Sequence, residues 1–217
     1  MKENLILSPE ILLHIAQILN LPLHGLVAVI GLLDDGGTVP FIARYRKEAT
    51  GNLDEVQIRD IEEKLAYFRD LTERRATILA SIAEQGKLTD ELKARIEATL
   101  DKSELEDLYL PYKPKRRTKA TIAREKGLEP LALYLWQQQA TEQPLEIFAA
   151  SFVNVELGVA NVDEALEGAR HIVAEWISED ADLRKALRKL MFDEGTIVSR
   201  KVTDAVDEQE KFKMYYE

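Results

Sequence analysis

From residue 52 to Gly86 the chain contains neither glycine nor proline, and that stretch constrains the fold more than any other. Within it Leu53, Val56, Ile61, Leu65, Phe68, Leu71, Ile78, Leu79 and Ile82 keep the 3.6-residue period of an amphipathic helix. Asn52 and Glu55 have the spacing of a capping box at its start. About 32 residues at 1.5 Å each make a helix of roughly 48 Å. A helix of that length serves as a spine on which shorter helices pack. The heptad repeat lapses at Arg74-Arg75, which argues against a free-standing coiled coil.

Shorter helices are predicted on both sides. Ser8-Pro9-Glu10 gives an N-cap with proline at the first helical position, followed by Ile11, Leu12, Ile15, Ile18 and Leu19 in period. An apolar helix over 23–34 stops at Gly36-Gly37. Thr38 then caps a short one, with Phe41, Ile42 and Tyr45 on an apolar side and Arg44, Arg46 and Lys47 on a basic side. This run resembles a helix-turn-helix unit. Thr89 caps another helix, and Ser103 with Glu106 forms a capping box for a helix ending at Pro111. Leu131, Leu133, Leu135 and Trp136 predict a buried helix, and Gln143-Pro144 opens the next. Asn161 with Glu164 caps a helix carrying Val162, Leu166, Ile172, Val173 and Trp176. Leu183, Leu187 and Leu190 predict a core stripe beside the i,i+4 cations Arg184/Arg188 and Lys185/Lys189, which neighbouring Glu179, Asp180 and Asp182 can neutralise. Residues 197–202 are the one strand candidate. The fold class is all-α: an elongated multi-helix scaffold with one long central helix and helix-turn-helix-like parts. The expected divisions are 1–110, a helical region with the spine; 111–203, a basic loop and second helical subdomain; and 204–217, a connection onward. Phe212, Met214, Tyr215 and Tyr216 leave aromatic and apolar side chains at the terminus, an ending expected of a chain that continues into a further domain.

Charge is concentrated in one place. Residues 113–126 hold seven cations (Lys113, Lys115, Arg116, Arg117, Lys119, Arg124 and Lys126) against Glu125 alone. That window carries +6 in a chain of −10, which leaves −16 for the remainder. Tyr109 and Tyr112 precede it, and Pro111 and Pro114 hold its entry extended, because each ring fixes φ and disfavours helix in the residue before it. Thr118 N-caps a short helix ending at Gly127, and Glu129-Pro130 begins another. A basic loop between helices suits phosphate or another polyanion. Equally, its cations can answer carboxylates on neighbouring helices of an acidic chain. Candidate nucleic-acid contacts are Lys113, Lys115, Arg116, Arg117, Lys119, Arg124 and Tyr112, with Arg44, Arg46 and Lys47 as a second group.

Several function classes find no foothold. With no cysteine there is no disulfide or thiolate metal site. His14, His24 and His171 fall in separate helices without i,i+4 histidine partners, and Asp34-Asp35-Gly36-Gly37 lacks the alternating oxygen ligands of a calcium loop. No phosphate loop, nucleophile elbow or dinucleotide fingerprint occurs. The expectation is a non-enzymatic protein without cofactor or metal. No apolar run reaches bilayer length and no signal-peptide pattern opens the chain, so a cytoplasmic protein without membrane contact is expected.

The segments TVPFIARYRKEATGNLDE (38–55), LTERRATILASIAEQGKLT (71–89) and DLYLPYKPKRRTKATIAREKGLEPLA (107–132), with ALEGARHIVAE (165–175) and the YYE ending, resemble the N-terminal region of the bacterial Tex family of transcription accessory proteins. The resemblance implies a mostly helical scaffold with a helix-turn-helix-like unit, related to the core of a eukaryotic transcription elongation factor. It also implies that full-length members continue into a YqgF-type RNase H-like domain, helix-hairpin-helix motifs and an OB-fold RNA-binding domain. Two functional readings follow. One is a nucleic-acid-binding scaffold, for RNA rather than DNA, with weak affinity of its own. The other is a protein-interaction scaffold that positions downstream domains or meets the transcription machinery without touching nucleic acid.

Overall fold

A computed structural model describes residues 5–138, 144–199, 211 and 214. Their secondary structure is helical apart from one isolated bridge between Asn154 and Val159. The chain divides into two compact units, Met1–Lys113 and Pro114–Glu217.

In the first unit α1 (Pro9–Leu19), α2 (Leu23–Asp34), α3 (Val39–Tyr45) and α4 (Lys47–Thr50) precede the long α5 (Glu55–Glu84), followed by α6 (Asp90–Ala98) and α7 (Lys102–Tyr109). Helix α5 runs unbroken for 30 residues and packs on α1, α2, α3, α6 and α7. Ile58, Ile61, Leu65, Phe68, Leu71, Ile78 and Ile82 are its buried side, at the spacing an apolar stripe requires. Its cap differs from the expected one. Asp54 is the N-cap, and Asp54 and Gln57 complete the reciprocal box at 2.9 and 3.0 Å. Asn52 sits at φ +65°, in the left-handed region, whereas an N-cap needs extended backbone.

The lapse of the repeat at Arg74-Arg75 marks a docking point. Arg74 forks onto Glu106 of α7 at 2.5 and 3.0 Å, and Arg75 donates to the Thr99 carbonyl at 2.7 Å. Apolar residues there would leave those polar groups without donors. The same pairing explains why Ser103 and Glu106 make no capping box: Asp101 caps α7, accepting from the Glu104 amide at 2.8 Å. A second close approach fixes α4. A Cβ on Gly25 of α2 would lie 2.7 Å from the Thr50 carbonyl oxygen, so only glycine fits this contact.

The second unit holds α8 (Lys119–Glu125), α9 (Glu129–Gln137), α10 (Leu145–Ala150), α11 (Val162–Glu179) and α12 (Ala181–Glu194). Its core is Ala120, Ala123, Leu128, Leu131, Ala132, Ala149, Val159, Ala165, Ala169 and Ile172. Small residues let α8 lie close against α11, and a Cβ on Gly168 would come within 2.3 Å of Leu128 Cδ1. Thr118 and Asn161 cap α8 and α11 as expected, at 3.0 and 2.9 Å.

Three apolar expectations are corrected. Leu133 and Trp136 are exposed, because Leu131, Ala132 and the partly buried Leu135 are the α9 residues turned to the core. Leu183, Leu187 and Leu190 form a stripe, but at 37%, 50% and 49% exposure it is not a core face; α12 buries no residue. Ile197, Val198 and Ser199 have no strand partner among the described residues and lie outside any regular element, while 200–202 fall outside the described residues. Phe212, Tyr215 and Tyr216 are outside them too.

Candidate nucleic-acid interface

The chain leaves α7 through a 3-10 turn, Leu110–Tyr112, whose last carbonyl accepts from Gln85 Nε2 at 2.9 Å. Tyr112 is half-buried, and Lys113 is exposed at the end of the first unit. The remaining cations of the window belong to the second unit, where the structure sorts them into two groups.

Lys115 pairs with Glu179 and lies 3.8 Å from Glu175, both on α11. Arg124 donates to Glu175 at 2.6 Å and approaches Glu129 at 3.5 Å. Thr118, besides capping α8, donates its hydroxyl to Glu175 at 3.1 Å. Burial pushes the Glu175 carboxyl up, but hydrogen bonds from Arg124 and Thr118 and the charges of Lys115 and Arg124 outweigh it and hold the group below the usual carboxylate range. Lys126 caps the Gly158 carbonyl at 2.6 Å, and Arg117 reaches Glu125 at 2.5 Å on an exposed surface. Arg116 and Lys119 are exposed and have no ion pair or hydrogen bond among the described residues. Chemically, Lys115 and Arg124 form a clasp closed on α11, while one guanidinium (Arg116) and one ammonium (Lys119) are left facing solvent.

Sequence reasoning missed Glu175 and assigned Glu179 to the cations of α12, whereas it pairs with Lys115 of the loop. Their signal was present: two carboxylates four apart on one helix present a single acidic face for a basic loop.

The second group sits where α3 ends. Arg46 leaves helical geometry at φ −127° and separates α3 from α4. Arg44, Arg46 and Lys47 are exposed, with no carboxylate partner among the described residues. The expected apolar side of this helix is divided. Ile42 is fully buried, whereas Phe41 and Tyr45 are 43% and 63% exposed. The two rings contact each other at 5.4 Å, and the Arg46 guanidinium lies over the Phe41 ring at 5.4 Å. Beside them a cavity of about 480 Å³ is lined by Leu32, Asp35, Gly37, Thr38, Phe41 and Arg46, among others.

The histidines take unrelated positions. His14 meets the Phe68 ring edge-on at 5.8 Å, and His171 is 3.5 Å from Glu167. Among the described residues no cluster of three metal-ligating side chains occurs, and no single helix is long and apolar enough to cross a membrane.

Two family models match this chain: the Tex-like protein N-terminal domain over residues 9–83 and the Tex central region-like family over residues 139–217. It is 52% identical over 190 residues to the Transcriptional accessory protein Tex of Neisseria gonorrhoeae, covering 88% of this chain and 25% of that protein. The chain belongs to the Tex family. This Tex-family chain is likewise 52% identical over 190 residues to Protein YhgF of Escherichia coli, covering 88% of it and 24% of the relative. It is 32% identical over 164 residues to the human S1 RNA-binding domain-containing protein 1, covering 75% of this chain and 16% of that protein. It thus spans about a quarter of the length of the bacterial relatives it matches.

Proposed function

We propose that this chain is the non-catalytic helical scaffold of a transcription accessory protein that works on nucleic acid, and that its own contact with nucleic acid is weak and electrostatic. The observation that carries this reading is the division within the basic loop. Lys115 and Arg124 are held by Glu175 and Glu179, while Arg116 and Lys119 face solvent without an ionic partner among the described residues. Clasped cations release few counterions, so phosphates at the loop meet Arg116 and Lys119, with Lys113 as a third contact; the Arg44–Arg46–Lys47 group is a separate candidate on the first unit. A chain of net charge −10 does not coat nucleic acid indiscriminately. RNA is the preferred substrate in this reading, since a relative carries an RNA-binding domain in its name.

A salt titration of binding to a short single-stranded RNA tests it. Two or three phosphate contacts give a log–log slope of roughly −1.4 to −2.1. No measurable affinity at low salt would leave the interaction-scaffold reading. That second reading is favoured by α12, whose Leu183, Leu187, Leu190 and Met191 lie exposed in one stripe, a surface suited to downstream domains or the transcription machinery.

A further inference from the structure

Resting on the nucleic-acid reading above, we infer that Phe41, Tyr45 and Arg46 form a stacking platform for unpaired bases of single-stranded nucleic acid. Phe41 and Tyr45 are one helical turn apart on α3 and present their rings on the same side. These two rings stay 43% and 63% exposed while Ile42 between them is fully buried. Exposed aromatic surface of this size lowers the solubility of a free chain and is relieved when a flat π-face covers it.

The cations decide what kind of partner that is. Arg46 is held over the Phe41 ring at 5.4 Å, so a second planar group stands beside the rings. Arg44 and Lys47 flank it, with Glu48 the one acid among residues 39–53. An apolar protein partner calls for rings without this local excess of positive charge. Single-stranded nucleic acid calls for both together, rings for the bases and cations for the backbone. The adjoining cavity of about 480 Å³, with Phe41 and Arg46 in its wall, falls in the range of roughly 300–1,000 Å³ typical of small-ligand pockets. One base lies in that open depression against the exposed edge of Phe41 and the Arg46 guanidinium, and the next stacks on Tyr45. Asp35 in the wall of the depression is an acceptor for an N–H of that base, the ring N3–H in the case of uracil.

The test measures binding of the whole chain to a fluorescein-labelled oligouridylate and to an abasic oligomer of equal length. Tyr45→Ala is expected to weaken oligouridylate binding roughly 5- to 150-fold with the salt slope unchanged, since stacking displaces no counterions. Tyr45→Phe keeps the affinity, and the abasic oligomer binds wild type more weakly still than oligouridylate binds Tyr45→Ala, because it also lacks the base at Phe41 and Arg46. Arg46→Ala makes the slope shallower. If wild type binds but neither Tyr45→Ala nor loss of the bases changes affinity, the platform is overturned while the loop contacts stand. If wild type binds neither oligomer at low salt, both the platform and the nucleic-acid reading fall. Tyr45 is exposed, so an unchanged melting temperature is expected of Tyr45→Ala and separates a binding defect from misfolding.

Discussion

Arg124 and Glu175 meet at 2.6 Å although 51 residues separate them. The small residues on α8 and α11 make this possible, because Ala123 and Gly168 bring the two helices close enough for one carboxylate to reach Arg124, Thr118 and Lys115 together. Glu175→Gln keeps the shape and removes the charge. The expected loss is roughly 1.5–3 kcal/mol, the value of hydrogen bonds to a charged group. An unchanged midpoint in urea unfolding would mean that the clasp contributes nothing to stability.

The same pairing predicts an acid response. Glu175 and Glu106 both titrate below the ordinary value of 4.5 in the folded chain, Glu106 mainly through its hydrogen bond from Arg74. The folded pKa lies below the unfolded one, so the stabilisation is complete above about 4.5 and is lost as pH falls through the folded values. Unfolding midpoints of wild type and Glu175→Gln, measured between neutral and acid pH, are expected to converge below that point. A constant gap down to the acid limit would contradict the assignment.

Phe68 is 2% exposed on the buried face of α5, where it meets His14 and Tyr67 edge-on at 5.8 and 5.1 Å. Phe68→Ala should cost about 3–5 kcal/mol through lost burial and the cavity left behind. A melting temperature equal to wild type would show that this face carries no load.

How legible these features were depends on range. Helix α5 was readable because its period is local and no breaker interrupts it. Its cap was misplaced by two residues because Asn52 and Asp54 are both good capping residues, and only the left-handed backbone at Asn52 separates them. The stripe of α12 has the right period, but period does not say whether another element covers it. Loop pairing was undecidable for a related reason: the basic residues and the α11 carboxylates are far apart in sequence, and only the packing of α8 on α11 joins them. Phe41 and Tyr45 were placed on one apolar side with Ile42. A seven-residue helix has too few positions to tell a buried face from a half-exposed one.

Gly25→Ala tests the contact that fixes α4. The added methyl group would stand 2.7 Å from a backbone oxygen, which cannot rotate away as a side chain does. Alanine gains up to about 1 kcal/mol in helix propensity, while overpacking costs about 1–3 kcal/mol. With the full propensity gain, a net loss of about 0–2 kcal/mol is therefore expected by denaturant unfolding. Net stabilisation would show that α2 and α4 can move apart freely.

Two double variants of the basic loop separate its two roles. Arg116→Ala with Lys119→Ala removes cations that have no ion pair among the described residues. It is expected to leave the unfolding free energy within about 0.5 kcal/mol of wild type and to make the salt slope for single-stranded RNA shallower by roughly 1.4, the contribution of two phosphates. Because phosphate contacts carry no base information, the loss is the same for every sequence. Lys115→Ala with Arg124→Ala does the reverse. It strips Glu175 and Glu179 of their partners and lowers the melting temperature, while the slope stays near wild type because the clasped cations were already neutralised. If the clasp pair proved to control the slope and the solvent-facing pair the stability, the loop would have to open before binding, and the division drawn from the ion pairs would be wrong.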